Sequence, residues 1–493
     1  MKRSLFLIFI SIGILTGSCT HTPTPSPKPY GPLPSEAQLD WQRLEMICIV
    51  HFGLNTFTDK EWGYGNVGPK VFNPANFDPN QIIFAAKSAG IKGLILVCKH
   101  HDGFCLWPTK TTDYNITKTS WKNGKGDIVK AFEEACRKAG MKFGIYCSPW
   151  DRHSKYYSTP EYVQIYRDQL RELYSNYGSL FESWHDGANG GNGYYGGANE
   201  VRKIDRSTYY GWDSTWAITR KLQPGAVIFS DAGPDIRWVG NERGYASDTT
   251  WETFTPHGKN GTRPAPGNVE YGESPRGQRN GKYWMPAECD VPLRPGWFYH
   301  ASQDGKEKTA AQLFAIYIHS VGRAANMNLG LAPDTTGQLS KGDATRLEEF
   351  GKLLHETFSD NLAAKATFKA SNIRGNDKKH YGPENLIDEN RYSYWATDDN
   401  IHTPEIVFDL HELKTFNIIQ LREDIKLGQR ITSVAIDEWK GGKWGQIASA
   451  TGIGANRLIK LPEFITTDKI RLRITGSPVC IALSKFGLYA EAR

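Results

Sequence analysis

Gly90-Ile-Lys-Gly-Leu-Ile-Leu-Val-Cys-Lys-His-His-Asp102 is the stretch on which the fold turns. A glycine after an amphipathic segment supplies the left-handed cap that ends a helix, and a short unbroken apolar run reads as a strand buried on both faces. Here the run stops at two histidines and an aspartate. The same order of events recurs after Gly140 (Phe143 to Ser148, then Pro149-Trp-Asp151), Gly178 (Phe181-Glu-Ser-Trp-His-Asp186), Gly225 (Ala226 to Asp231) and Gly322 (Ala325 to Leu331). Helix and strand in alternation, with polar residues at each strand's carboxyl end, is the α/β pattern of a parallel (β/α)₈ barrel, whose active site gathers at those ends.

Outward from these repeats, the barrel should span residues 35–358. Its first strand is Met46-Ile-Cys-Ile-Val-His51, a late strand falls within Tyr283–Asp290, Asn326–Leu331 closes the ring, and Ser340–Phe358 forms the last helix. Asp127 should cap the helix at Ile128, and Pro160 should open the next, with Val163, Tyr166, Leu170, Leu173 and Tyr177 on its inner face. Residues 188–200 and 255–282 are rich in Gly, Asn and Pro and read as long loops, which in compact domains tend to carry function. From residue 361 to 493 the period changes to two, as in Ile406–Leu410, Phe416–Leu421, Val434–Ile436 and Lys469–Ile474, which predicts an all-β sandwich. Pro383-Glu-Asn-Leu-Ile-Asp388, Tyr394-Trp-Ala-Thr397 and Pro404 to Leu410 resemble the discoidin-like carbohydrate-binding sandwich.

Residues 1–18 read as an export signal: Lys2 and Arg3, the apolar run Leu5–Leu15, then small residues up to Cys19. Leu15-Thr-Gly-Ser-Cys19 resembles a bacterial lipoprotein box, which implies lipidation of Cys19 and a place in the periplasm or at the outer membrane. A cleaved signal with a chance cysteine is the other reading. Residues 19–34, with alternating prolines, should be an extended tether. The formal net charge of +6 is small for 493 residues and no basic run stands out, which argues against nucleic acid as partner. The 8 cysteines form no Cys-x-x-Cys or zinc spacing, so mostly free thiols and no structural metal are expected. The 15 Trp and 23 Tyr include flat faces suited to sugar rings, although core packing accounts for most of them.

Asp186 ends a strand and Glu288 lies in Met285–His300. Two carboxylates on different strand ends of one barrel are what glycoside hydrolysis needs: one attacks the anomeric carbon and the other protonates the leaving oxygen. A strand-end aspartate is also a common loop anchor. His51, His100 and His101 follow the first two strands, and Glu61-Trp62 lies in the first loop. Imidazoles and a carboxylate give a polyhydroxylated ring directional partners, and the indole gives it a flat face. Imidazole also suits zinc and iron, but adjacent histidines in an extended strand point to opposite faces, which is poor ligand geometry.

The pieces His51-Phe-Gly-Leu-Asn-Thr56, Lys99-His-His-Asp-Gly-Phe104, Tyr146-Cys-Ser-Pro-Trp150, Trp184-His-Asp-Gly187, Asp235-Ile-Arg-Trp238 with Glu242, and Asn326 to Asp334 resemble glycoside hydrolase family 29, the retaining α-L-fucosidases. The resemblance implies Asp186 as nucleophile. It implies that His51, His100, His101 and Trp62 bind the fucose, with Arg237 near the reaction centre, and no cofactor; Glu61 and Trp150 are further candidates for sugar contact. The Glu288 segment resembles the branch acting on α-1,3/1,4-linked fucose in branched glycans, which makes Glu288 the acid/base and places Arg294 and Trp297 beside the leaving sugar. The sequence departs from the family at His185, where Phe is common, and at Cys147, where Tyr is common. The rival expectations are a non-catalytic surface protein that binds glycans, and a hydrolase of another deoxy or galacto-configured sugar.

Overall fold

A computed structural model describes residues 24–388 and 390–492. Eight parallel strands close into a ring: β1 (Met46–Val50), β2 (Gly93–Lys99), β3 (Lys142–Cys147), β4 (Glu182–Trp184), β5 (Val227–Ser230), β6 (Ile236–Trp238), β7 (Ala287–Pro292) and β8 (Asn326–Leu331), the last pairing with β1 from Met46↔Met327 to Val50↔Leu331. Every residue of β1, β2 and β8 is buried, as unbroken apolar strands require. The helix Ile128–Ala139 is capped by the Asp127 carboxylate on the Lys130 N–H, and Pro160 opens the helix Pro160–Asn176.

Two departures from regular alternation shape the site. No helix separates β5 from β6, which are joined by a tight turn through Ser230–Asp235, and no α-helix, only a three-residue 3₁₀ turn at Lys259–Gly261, lies between β6 and β7. The three-residue β6 therefore lacks the helix–glycine signature and does not show in the repeat. The late strand expected within Tyr283–Asp290 is two strands: Tyr283–Trp284 pairs with Thr253–Phe254 outside the ring, and the chain joins the barrel only at Ala287.

Three of the five glycines of the repeat are left-handed; Gly225, expected to be, is not, and a Cβ there would meet nothing within 4 Å. Gly90, Gly140 and Gly178 adopt φ of 83°, 68° and 70°, and Gly140 caps its helix with its own N–H on Arg137 and Cys136 carbonyls. Gly322 is not left-handed; a Cβ there would meet the Ile318 carbonyl oxygen at 2.4 Å and the Leu458 side chain at 2.9 Å. That glycine serves the close approach of the two domains.

The C-terminal domain is an antiparallel β-sandwich wound from two long strands, Glu405–Glu423 and Arg457–Gly476, whose register shifts bend them around a core containing Trp395, Phe408 and Phe486. It docks at the amino-terminal end of the barrel: Glu45 pairs with Arg391 at 3.1 Å, Leu458 N–H donates to the Gly322 carbonyl, and Glu252 accepts from Ala455 N–H. The tether expectation needs correction where it is described. Residues 24–34 lie against the sandwich, with Tyr30 N–H on the Leu427 carbonyl and Arg374 on the Pro25 carbonyl, so this part is no free spacer. The signal and Cys19 fall outside the described residues. The other cysteines, seven in number, are buried and unpaired. Among the described residues no helix is long and apolar enough to cross a membrane.

Candidate active site

A cavity of about 470 Å³ opens at the carboxyl end of the ring. Its wall is assembled from strand ends: His51 after β1, His100 and His101 after β2, Tyr146 on β3, Trp184 and Asp186 at β4, Phe229 and Asp231 at β5, Trp238 and Glu242 at β6, and Asp290 on β7. The 255–282 loop, expected to be functional, adds Lys259 and Tyr271, Arg206 enters from beyond the expected 188–200 loop, and Trp62 and Trp297 stand at the mouth. No sandwich residue lines it.

The three histidines meet on one wall. Strand β2 ends at Lys99, so side-chain alternation lapses and His100 and His101 lie side by side with ring centroids 4.0 Å apart. That corrects the expectation of opposite faces. Burial, reinforced by their neighbours' charges, lowers His51 and His101 to about 3 and His100 well below its ordinary value, so all three are neutral at physiological pH. His101 Nε2 sits 3.8 Å from Asp186 Oδ2, and because the ring is neutral this contact is polar and not an ion pair. Ser148 Oγ donates to the Trp150 carbonyl and lies 2.8 Å from His101 Nδ1. Accepting the Nδ1 proton leaves Nε2 as an acceptor toward the cavity. Among the described residues no group of three His, Cys, Asp or Glu is arranged to hold a metal ion.

Asp186 is held from two sides: Tyr146 Oη donates to Oδ2 at 2.8 Å and Ala188 N–H to Oδ1 at 2.6 Å. Burial raises its pKa, and these two donors pull it back toward the ionised form. Glu242 also lines the cavity, exposed overall but partly desolvated there. That partial desolvation raises its pKa, helped by the negative charges of Asp186 and Glu61 and opposed by a hydrogen bond from Trp297. Burial raises both carboxyls, but Asp186 has two donors that favour its ionised form, whereas the negative charges neighbouring Glu242 favour its neutral form, a division suited to a nucleophile and a proton donor.

Several expected residues occupy other places. Glu288 is fully buried and absent from the cavity wall; its Oε1 accepts from Trp184 Nε1 and Asn328 Nδ2, both at 2.8 Å. It lies beside Trp238 in the β6–β7 register, deeper in the barrel than Glu242. Arg237 points away from the cavity because its neighbour Trp238 points in, and its guanidinium holds the carbonyls of Ser274, Trp251 and Met285. Arg294, buried by Asp343, Glu307 and Asp304, faces no sugar. Trp150 backs the site, with its indole N–H on Tyr195 and its ring 5.4 Å from His101. Glu61 accepts from Trp297 and Phe298 N–H and from His300, which places Trp297 5.2 Å from the His51 ring. Trp62, about half exposed, crosses the His101 ring edge-on at 5.0 Å.

Tyr146, Trp184, Asp231 and Asp290 were legible in principle, since each lies at a strand end. Asp231 accepts from Tyr271 and Gly267 N–H, and burial pushes it up to about 6. Arg206 and Tyr271 sit on loops without pattern, and no sequence signal marks them.

The α-L-fucosidase family model matches residues 34–357 and the F5/8 type C domain model residues 367–491. The chain is 39% identical to Alpha-L-fucosidase 1 of Arabidopsis thaliana, over 99% of this chain and 94% of that protein. A glycoside hydrolase 29 family member from an unknown rumen bacterium is 38% identical with a TM-score of 0.82, covering 94% of this chain and 78% of that one. A Ruminococcus gnavus GH29 fucosidase in complex with fucose is 30% identical with a TM-score of 0.85, covering 95% and 97%.

Proposed function

The chain belongs to glycoside hydrolase family 29, the α-L-fucosidases, and from that footing we propose an exo-acting enzyme that releases terminal L-fucose by double displacement, with Asp186 as nucleophile and Glu242 as acid/base. The observation carrying the assignment is that both carboxylates line one cavity at the strand ends while Glu288 does not. Asp186 attacks the anomeric carbon as Glu242 gives its proton to the glycosidic oxygen, so a fucosyl ester forms and the alcohol leaves. Glu242, now ionised, takes a proton from water, whose oxygen displaces Asp186. Two inversions give net retention. The neutral imidazoles of His51, His100 and His101 serve as partners for the sugar hydroxyls. Full-length similarity to fucosidases speaks against the non-catalytic reading.

The same reading includes a preference for α-1,3- or α-1,4-linked fucose on branched glycans. A second hollow of about 670 Å³ shares Trp62, Glu242 and Trp297 with the fucose cavity, so it opens on the leaving-group side of the acid/base. Contacts with a sugar there are used to orient the reaction, so substrates lacking it lose kcat as well as affinity. A trisaccharide with α-1,3- or α-1,4-fucose beside galactose is expected to be cleaved at least ~10-fold faster than its α-1,2 isomer or an aryl fucoside, about 1.4 kcal/mol of transition-state contact. Trp297→Ala should narrow the gap, and NMR should show the α anomer of fucose released first. Equal rates on all three substrates exclude the linkage preference, and initial release of the β anomer excludes double displacement.

Export and lipidation at Cys19 complete the proposal, supported by the charged, apolar and small-residue segments before it. Labelled fatty acid is expected in the wild-type chain expressed in a bacterial host and absent from Cys19→Ala; equal labelling of both removes the anchor.

A further inference from the structure

Three carboxyl groups, two beneath the fucose cavity and one on its wall, have no part in the double displacement. Glu182 on β4 and Glu288 and Asp290 on β7 are 0%, 0% and 4% exposed. Glu288 and Asp290 are two residues apart on one strand, so both face the barrel interior. No cation stands among the groups acting most strongly on the three. The buried cation of the adjoining strand, Arg237, is occupied by three carbonyls. Three unpaired carboxylates in such a place would be prohibitively desolvated.

Their hydrogen bonds show where protons must be. Glu182 Oε2 accepts from the Trp41 indole N–H at 2.8 Å, and Glu288 Oε1 accepts from Trp184 and Asn328. Glu182 Oε1, Glu288 Oε2 and Asp290 Oδ1 are buried and meet no N–H or hydroxyl donor. What they meet is one another, since Glu182 and Asp290 are each within hydrogen-bonding contact of Glu288. Carboxyl oxygens in mutual contact need protons between them.

We infer that Glu182 and Asp290 are protonated and donate to an ionised Glu288, and that Asp290 thereby stands on the cavity wall as a neutral carboxyl that positions substrate. The observed donors support this partition, because Glu288 accepts from two N–H groups, Trp184 and Asn328, whereas Glu182 accepts only from Trp41 and Asp290 Oδ1 from none. Burial first, and the Glu288 charge next, push Glu182 and Asp290 well above the ordinary carboxyl range, while Glu288 is held back by its donors. Asp290 shares the cavity with Asp186, Glu242, His51, Arg206 and Lys259. An ionised Asp290 would add a negative charge beside Asp186 and oppose its ionisation. A neutral one keeps a carbonyl-type oxygen as acceptor for a sugar hydroxyl without that cost.

The catalytic meaning of this arrangement rests on the Asp186/Glu242 reading; the protonation itself does not. Infrared difference spectra at neutral pH, wild type minus Asp290→Asn and wild type minus Glu182→Gln, should each show loss of a protonated-carboxyl band. Loss of a carboxylate band instead overturns the inference, whatever Glu242 proves to do. Asparagine reproduces the donor toward Glu288 and the acceptor toward substrate. Asp290→Asn should therefore keep kcat/KM within ~5-fold of wild type with both limbs of its pH profile unmoved, while Asp290→Ala should lose about 10-fold or more. A limb displaced by a full pH unit in Asp290→Asn shows an ionised Asp290, and equal activity of the Ala and Asn variants shows that Asp290 positions nothing. Either result overturns the proposal.

Discussion

Asp186→Ala is expected to lower kcat/KM at least ~10⁴-fold on every fucoside, with activated and natural leaving groups affected alike. The nucleophile forms the bond to the anomeric carbon in the first step, so no improvement in the leaving group replaces it. The loss should be chemical and not structural. Asp186 is partly exposed at the cavity wall and its partners are the Tyr146 hydroxyl and one backbone N–H, both of which water can satisfy. Its melting temperature should stay within a few degrees of wild type, as for other partly exposed polar sites. A companion variant reads the electrostatics. Tyr146 donates to the charged carboxylate and so favours ionisation; Tyr146→Phe removes that donor and Asp186 rises in pKa. The nucleophile must be ionised, so the acidic limb of kcat/KM should move to higher pH. An Asp186→Ala enzyme that keeps a tenth of its activity on an aryl fucoside would rule out the nucleophile role, and an acidic limb unmoved in Tyr146→Phe would separate that limb from Asp186.

Glu242 and Glu288 should fail in opposite ways. Glu242→Ala is expected to lose roughly 10²–10⁴-fold on natural glycans, the usual range for a general acid, and to lose far less on a substrate whose leaving group needs no proton. Azide should restore turnover of that activated substrate, because it fills the space of the missing carboxylate and attacks the fucosyl-enzyme without base assistance. Glu288→Ala removes the acceptor of a buried indole, a buried amide and two carboxyl groups. Each unsatisfied donor costs about 1–3 kcal/mol, so the melting temperature should fall markedly, with equal losses on both substrates and no azide rescue. The reverse pattern, with a stable Glu288→Ala rescued by azide and an unrescued Glu242→Ala, would return the acid/base role to Glu288. The alkaline limb of the wild-type profile should belong to Glu242, whose raised pKa keeps it protonated to higher pH than a free glutamic acid.

The comparison of these two residues shows how far a linear reading reaches. Asp186, His51, His100 and His101 were found because each follows an apolar run that announces a barrel strand, and the rule that chemistry collects at strand ends then applies. Glu242 was missed as a role because β6 is three residues long and enters from a tight turn, so the strand preceding it leaves no periodic trace. Glu288 stood out as a carboxylate expected at a strand end and because its segment resembles one branch of the family, but its strand starts at Ala287, so it sits at the buried beginning of the strand and not at its carboxyl end.

The sequence by itself determined the barrel and the sandwich after it, since both follow from hydrophobic period, and it placed Asp186 at a strand end, since that is a one-dimensional feature; the nucleophile role proposed for it came from the family resemblance. Tertiary structure alone decided which second carboxylate reaches the cavity, which way Arg237 and Arg294 point, and that two adjacent histidines share a face. Those facts depend on where a strand stops relative to its neighbours across the ring. Protonation was decided there too: a carboxyl group's charge depends on the donors and charges packed around it, and Glu182 and Glu288, 106 positions apart in the chain, become one titrating unit only when β4 and β7 close the same barrel.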